Sequence, residues 1–156
     1  MAKSGIFLES KEVLGSENYH LYLIYKDESG NEYVIRGGSE FNFPPFGKIV
    51  LQIGIPLSTS DDSRGNQTPA ERYNAQIDLG GRTAEDVWNI MLQQAKNIAD
   101  SFIDYDLLSS NSNSTVVSVL NSVGLTVPAI GGGPTPGSDN LLEDTLKNLP
   151  AVYKNH

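Results

Sequence analysis

The clearest alternation of apolar and polar positions lies in "YHLYLIYKDESGNEYVIRGG", residues 19–38, where two runs rich in Tyr, Ile, Leu and Val flank a polar turn with a glycine. This pattern predicts a β-hairpin. Alternate residues of the first run fall on opposite faces of the strand, and both sets are mostly apolar, so we expect this strand to be central. The two sets are His20, Tyr22 and Ile24, and Leu21, Leu23 and Tyr25.

A third strand is predicted for residues 47–57, "GKIVLQIGIPL", after the proline-containing bend "FNFPPFG". Residues 58–83 follow as a polar, turn-rich excursion across the surface. Within the excursion, "AERYNAQIDL" is a candidate for one further short element.

Two helices are predicted after the excursion. Thr83 precedes the first, "AEDVWNIMLQQAKNIADSFIDY", with Asp86 at the capping-box position. The apolar side chains of this segment follow helical spacing, with Gln94 as the one polar interruption. They are Val87, Ile90, Met91, Ala95, Ile98 and Phe102. The second helix follows "NSNS" and carries the stripe Val116, Val117, Val119, Leu120 and Val123, with Gly124 placed to end it.

The order of these elements predicts an α+β fold, in which an antiparallel sheet of three or more strands packs against two main helices. A chain of 156 residues with 38% apolar residues is sufficient for one core, so we expect a single domain over residues 1–156. Residues 126–156 form a C-terminal extension, which contains the Gly/Pro-rich loop "GGGPTPG" and a short terminal helix over residues 140–149.

The amino-acid composition limits the kinds of partner that this chain is expected to bind. The balance of 11 basic and 19 acidic residues gives a net charge of -8, which repels nucleic acid, so we expect no nucleic-acid partner. No window is apolar enough for a membrane span, so we expect a soluble chain. Its compartment is left open by the sequence, and a domain of a secreted protein is one candidate. No cysteine is present, which excludes a cysteine nucleophile and thiolate metal ligands. The oligomeric state stays open.

His20 and the serines of "NSNS" are the candidates for chemistry. The unperturbed pKa of histidine lies near neutrality, so His20 is either a general base or a buried histidine satisfied by a backbone carbonyl. Asn and Ser are preferred helix caps, and the same geometry places Ser112 where backbone N–H groups and the helix dipole stabilise an alkoxide and an oxyanion. Cap and catalyst are therefore compatible, and Ser114 is the alternative nucleophile.

Arg36 and a pair of aspartates complete the candidates. If the two residues of each pair across the hairpin have sequence numbers that add to about 57 or 58, Arg36 lies beside Tyr22 and diagonal to His20. It then either orients a substrate group or extends to solvent at the sheet margin. Asp61 and Asp62 with Asn66 lack the spacing of a calcium loop, so we predict no metal and no cofactor.

The histidine strand "HLYLIY" followed by "YDLLSSNSNSTVVSVL" resembles the circularly permuted papain-like hydrolases, which include the LRAT, PPPDE and permuted NlpC-type families. The resemblance covers residues 18–57 and 83–124, with serine at the position of the family's cysteine. It implies that His20 is the base and Ser112 the nucleophile, and that Asn111 and Asn113 match the flanking asparagines. Gln52 is the candidate for the group that orients the imidazole.

Two functions follow from these observations. The first is a small hydrolase of amide or ester bonds, acting on a peptide or acyl substrate through a serine that His20 activates. The second is a non-catalytic binding domain of a larger secreted or effector protein, which uses the same pocket or its acidic surface.

Overall fold

The computed structural model describes residues 3–13, 18–107, 111–130, 133–139 and 141–142. They form an α+β fold in which one five-stranded antiparallel sheet is accompanied by two main helices, as predicted. Two short 3-10 turns, Leu57–Thr59 and Ala70–Arg72, lie between the fourth and fifth strands. The strands are β1 (Gly5–Glu12), β2 (Tyr19–Lys26), β3 (Glu32–Ser39), β4 (Ile49–Pro56) and β5 (Asn74–Gln76), and the helices are α1 (Ala84–Asp100) and α2 (Ser112–Ser122).

The sheet has the order β4-β3-β2-β1-β5, so β2 is its central strand, as both of its apolar faces predicted. Leu21, Leu23 and Tyr25 pack in the core that the two helices cover. Tyr22 and Ile24 pack on the other face, in a cluster that includes Leu57. Arg72 of the excursion donates to the hydroxyl of Tyr22 on this same face, so the excursion packs over the sheet and is more than a surface loop.

The structure adds one strand to the predicted set. β1 pairs along its whole length with β2, from Gly5↔Lys26 to Glu12↔Tyr19. Its sequence "GIFLESKE" places Glu9 and Ser10 at fully buried positions. Those polar residues hide the alternation that otherwise marks a strand. β5, by contrast, falls inside the predicted short element of the excursion and pairs with β1.

Helix α1 starts where it was predicted and ends earlier. The Thr83 side chain accepts a hydrogen bond from the N–H of Asp86 at 3.2 Å. The predicted apolar stripe is wrong at two positions: Ile90 is 43% exposed, and Phe102 lies beyond the end of the helix and is 70% exposed. Gln94, predicted as an interruption of the stripe, is buried.

Helix α2 inserts its first turn where two neighbouring strands separate. The β2–β3 ladder runs from Lys26↔Glu32 to Leu23↔Ile35, while β2 extends back to Tyr19 and β3 continues to Ser39. In that gap the Asn113 amide bonds to the backbone of β2. Its Oδ1 accepts from the N–H of Leu21 at 2.7 Å, and its Nδ2 donates to the carbonyl of Tyr19 at 2.9 Å. A side chain thus replaces the missing strand partner.

The segment after α2 returns to the body of the fold. Gly124 follows the helix with φ +75°, a left-handed conformation that favours glycine and fits its predicted role as terminator. The N–H of Leu142 donates to Ser118 Oγ at 2.7 Å, and the Leu142 side chain is buried. The predicted terminal helix lies almost entirely outside the described residues. Among the described residues, no helix has the length and apolarity that crossing a membrane requires.

We predict that Asn113→Ala lowers the free energy of unfolding by about 1–3 kcal/mol, because it leaves the buried N–H of Leu21 and the partly buried carbonyl of Tyr19 without these partners. Urea denaturation followed by circular dichroism measures the change. Asn89→Ala, at an exposed position of α1, is the matched control and should change stability by less than about 0.5 kcal/mol. Equal effects of the two variants would contradict the bridging role of Asn113.

Candidate active site

His20 and Ser112, the two candidates for chemistry, are in direct contact. Ser112 Oγ lies 2.7 Å from His20 Nδ1, although the residues are 92 positions apart in the chain. Both residues are more than nine-tenths buried. Gly37 of β3 permits this approach, because a Cβ there would lie 2.9 Å from Thr115 Oγ1 and 3.4 Å from the Cα of Ser112. The structure therefore brings together a hydroxyl and a potential base.

The other members of "NSNS" hold the helix start. Asn111 is the N-cap, and its side chain accepts from the N–H groups of Asn113 and Ser114. Ser114 Oγ accepts from the Asn111 N–H at 2.6 Å and closes a capping box, in a fully buried position. Ser114 is therefore a structural cap, and Ser112 is the serine that meets His20. The cap bonds do not use the N–H of Ser112.

The group that contacts the other nitrogen of the imidazole is Asp62. Its Oδ2 lies 2.9 Å from His20 Nε2, and its side chain is fully buried. Gln52, the candidate for this position, instead accepts a hydrogen bond from the backbone N–H of Asp61 at 3.0 Å. Asp62 was considered only as a calcium ligand in the sequence, because nothing in its local sequence indicates that the excursion packs over the sheet. Gln52 supports the residue next to the one that orients His20.

Two cations accompany Asp62. Lys11 Nζ lies 2.7 Å from Oδ1, an ion pair without the angles of a hydrogen bond, and Arg36 Nε donates to Oδ2 at 3.0 Å. The paired residues of β2 and β3, such as Leu23↔Ile35, have numbers that sum to 58, so the predicted register is confirmed. The ladder ends there, one pair before Tyr22 and Arg36, so those two residues are not paired across the strands. Arg36 also lines the cleft in front of Ser112, where its predicted role toward a substrate stays a prediction.

These contacts determine the charge states. Burial lowers the pKa of His20 below its ordinary 6.5, and Arg36 and Lys11 add to this effect against the opposing carboxylate of Asp62. Burial raises the pKa of Asp62, but the hydrogen bond from His20 and the nearby positive charges outweigh it and hold that pKa well below its usual range. At neutral pH Asp62 is ionised and His20 is neutral. Because Asp62 accepts from Nε2–H, Nδ1 is the free base that faces Ser112.

A buried polar network fixes the segment that carries Asp62. Arg72 donates to the backbone carbonyl of Asp62 and, at 2.6 Å, to that of Ser63. Arg72 also donates to the Tyr22 hydroxyl at 3.1 Å, and Tyr22 in turn donates to Glu9 at 2.5 Å. Glu9 and Tyr22 belong to β1 and β2, so the network ties the excursion to the centre of the sheet. Asp62 is thereby held in position on both its side chain and its backbone.

The contact between His20 and Ser112 opens on a cleft of about 840 Å³. One wall comes from the predicted loop "GGGPTPG": the carbonyl of Pro136 accepts from Nδ2 of both Asn111 and Asn113, at 2.9 and 3.0 Å. Gly137 follows with φ +88°, and a Cβ there would overlap the Asn111 side chain. The described part of this loop therefore belongs to the site. Nothing in its sequence connects it to Asn111.

The described residues contain no group of three or more His, Asp or Glu side chains arranged to hold a metal ion. Comparison of the chain with protein-family models, with curated proteins and with solved structures finds no match.

We predict that the protein loses stability as the pH falls below about 6.5, because the folded state binds the proton of His20 less tightly than the unfolded chain does. One such group contributes a slope of at most about 1.4 kcal/mol per pH unit. Asp62 does not contribute in this window, since its pKa is at or below the ordinary 3.8 in both states. Urea denaturation between pH 5 and pH 7.5 measures the slope.

His20→Gln should flatten this slope, whereas His156→Gln, which changes the only other histidine, should leave it in place. A slope that survives in His20→Gln would show that another group causes it.

Proposed function

We propose that this protein is a small hydrolase of amide or ester bonds in which Ser112 is the nucleophile, His20 the general base and Asp62 the group that orients the imidazole. The observation that carries the proposal is the chain of two short contacts from Ser112 Oγ through His20 to the buried Asp62. A serine hydroxyl is a weak nucleophile unless an aligned base accepts its proton in the ground state. The neutral Nδ1 at 2.7 Å meets that requirement.

The first half of the reaction acylates the serine. Ser112 Oγ attacks the carbonyl carbon of the substrate while its proton passes to His20 Nδ1. The negative charge then develops on the carbonyl oxygen, for which the N–H of Ser112 at the start of α2 is the candidate donor, together with the helix dipole. When the intermediate collapses, the imidazolium gives its proton to the departing amine or alcohol, and the acyl group stays on Ser112.

The second half releases the acid. Water attacks the acyl-enzyme carbonyl and passes a proton to Nδ1, and the imidazolium returns a proton to Ser112 Oγ as the carboxylic acid leaves. The ionised Asp62 stabilises the imidazolium in both halves, because it accepts a hydrogen bond from Nε2 and carries the opposite charge.

The proposed relationship to the circularly permuted papain-like hydrolases is supported by the order of the parts. The strand with His20, β2, precedes the helix that begins with Ser112, and the start of that helix inserts beside the strand. Serine stands here where those families have cysteine, so we propose the relationship for the arrangement of the site and not for its nucleophile.

A fluorophosphonate probe should label the wild-type protein on Ser112, because it reacts with serines that a neighbouring base activates. Intact-mass and peptide mass spectrometry should show that labelling is lost in Ser112→Ala and in His20→Ala. Labelling that persists in Ser112→Ala would show that another serine is the reactive one. Absence of labelling in the wild type would contradict the hydrolase and favour the non-catalytic binding domain.

The pKa of the thiol in Ser112→Cys provides a second test of whether the site activates residue 112. The chain has no cysteine, so this variant has a single thiol. Next to His20 and the start of α2, the pKa of that thiol should lie below the usual 8.5, and iodoacetamide alkylation should keep its rate down to lower pH than for a free thiol. A thiol with an ordinary pKa would show that the site does not activate residue 112.

Asp62→Asn should lower kcat for 4-nitrophenyl acetate by roughly 10³- to 10⁴-fold with little change in KM, since it removes the charge that orients His20 and stabilises the imidazolium. Asp61→Asn is the matched control, because the Asp61 side chain is 70% exposed and does not contact the imidazole. Equal losses of kcat in the two variants would contradict the specific role of Asp62.

A further inference from the structure

An apolar groove lies beside the catalytic cleft. One side of it comes from the loop between β3 and β4, where Pro45, Phe46 and Gly47 line it, and the other side comes from residues 104–107 after α1. Its volume is about 610 Å³, and its lining is mostly apolar. The Phe46 and Tyr105 rings meet edge to face, with centroids 5.7 Å apart, at its base. None of these residues takes part in the proposed chemistry.

The groove is built on backbone hydrogen bonds, so it is a formed feature and not a gap between loose loops. The N–H of Tyr105 donates to the carbonyl of Gly47 at 2.8 Å, and the N–H of Ile49 donates to the carbonyl of Ile103 at 2.8 Å. Within the loop, the N–H of Phe41 donates to the carbonyl of Phe46 at 3.0 Å. The two walls are therefore held at a fixed separation, as in most ligand sites.

The groove is continuous with the cleft. Tyr105 and Leu107 line both, and Leu107 is 56% exposed although it is a large apolar side chain. The carbonyl of Leu107 accepts from Nδ2 of Asn111 at 2.8 Å, and Asn111 is the residue before Ser112. A substrate whose carbonyl lies at Ser112 can therefore reach the apolar surface of the groove, because Leu107 is hydrogen-bonded to the residue that precedes Ser112.

We infer that this groove is a subsite for an apolar aliphatic or aromatic group of the substrate, next to the scissile carbonyl. The inference rests on the proposed function, because it takes Ser112 as the point of attack. The occupant is an apolar group because Leu107, Phe46 and Tyr105 offer apolar surface that water covers in the free protein, and burial of such surface favours binding. Two aspartates also line the groove, Asp104 and Asp106, and Asp104 is paired with Lys48. Their negative charge disfavours an anionic group in the groove and leaves the apolar surface of Phe46, Tyr105 and Leu107 for an uncharged one.

The test measures binding of two neutral amides, octanamide and acetamide, to Ser112→Ala by isothermal titration calorimetry. This variant keeps the groove and removes turnover, so affinity is measured without chemistry. Octanamide should bind at least roughly tenfold more tightly than acetamide, since burial of about two methylene groups suffices for that ratio. Adding Leu107→Ser should remove most of the preference, and its exposure makes a folding defect from the substitution unexpected.

Phe43→Ser, added to Ser112→Ala, is the matched control. Phe43 is 66% exposed and stacks on Phe41, and it is not among the described residues that line the groove. The preference for octanamide should survive this change. Equal affinities for the two amides, or a preference that Phe43→Ser removes and Leu107→Ser does not, would overturn the assignment.

The experiments distinguish an error in the proposed subsite from an error in the proposed hydrolase activity. If fluorophosphonate labels Ser112 but octanamide shows no preference, the hydrolase stands and the subsite is wrong. If octanamide shows the preference and Leu107→Ser removes it, while the probe does not label Ser112, the groove is an apolar ligand site and the proposed chemistry is wrong.

Discussion

The hydrogen bonds between the Asn113 amide and strand β2 are the interaction on which the site depends. Beyond Leu23 the strands β2 and β3 no longer form a ladder, which leaves polar backbone groups of β2 to be satisfied in the interior. Asn113 satisfies the N–H of Leu21 and the carbonyl of Tyr19, the two residues that flank His20. Ser112 precedes Asn113 in the chain, so the bonds that fill the gap also bring the serine to the histidine.

The same arrangement explains why four polar residues stand in a row at the start of α2. Asn111 caps the helix, Ser112 meets His20, Asn113 bonds to β2, and Ser114 closes the capping box. The helix start was predictable, because capping is local and follows from residue type and spacing. The hairpin register was predictable from the length of the turn. The contact between His20 and Ser112 was expected from the resemblance to permuted hydrolases and not from local sequence.

The orienting residue was not predictable in this way. Asp62 and Gln52 both lie near the sheet margin, and only the fold of the excursion decides which one contacts the imidazole. That fold is set by Arg72, whose donors go to backbone carbonyls of the excursion and to Tyr22, and no sequence pattern encodes such pairings over 50 positions. The wrong assignments in α1 have a different cause, since helical spacing alone does not say where the helix ends or which edge of its stripe faces the core.

The buried carboxylate of Asp62 and the cations around it determine the protonation state of His20. An unpaired buried carboxylate is strongly unfavourable, and Lys11 and Arg36 offset that penalty from the sheet. Burial lowers the pKa of His20, and the positive charges of Arg36 and Lys11 add to this effect, so the imidazole is neutral at neutral pH. A serine hydroxyl needs a neutral imidazole to accept its proton in the ground state. In the proposed reaction, His20 meets that requirement, and the ionised Asp62 would stabilise the imidazolium once the proton has been transferred.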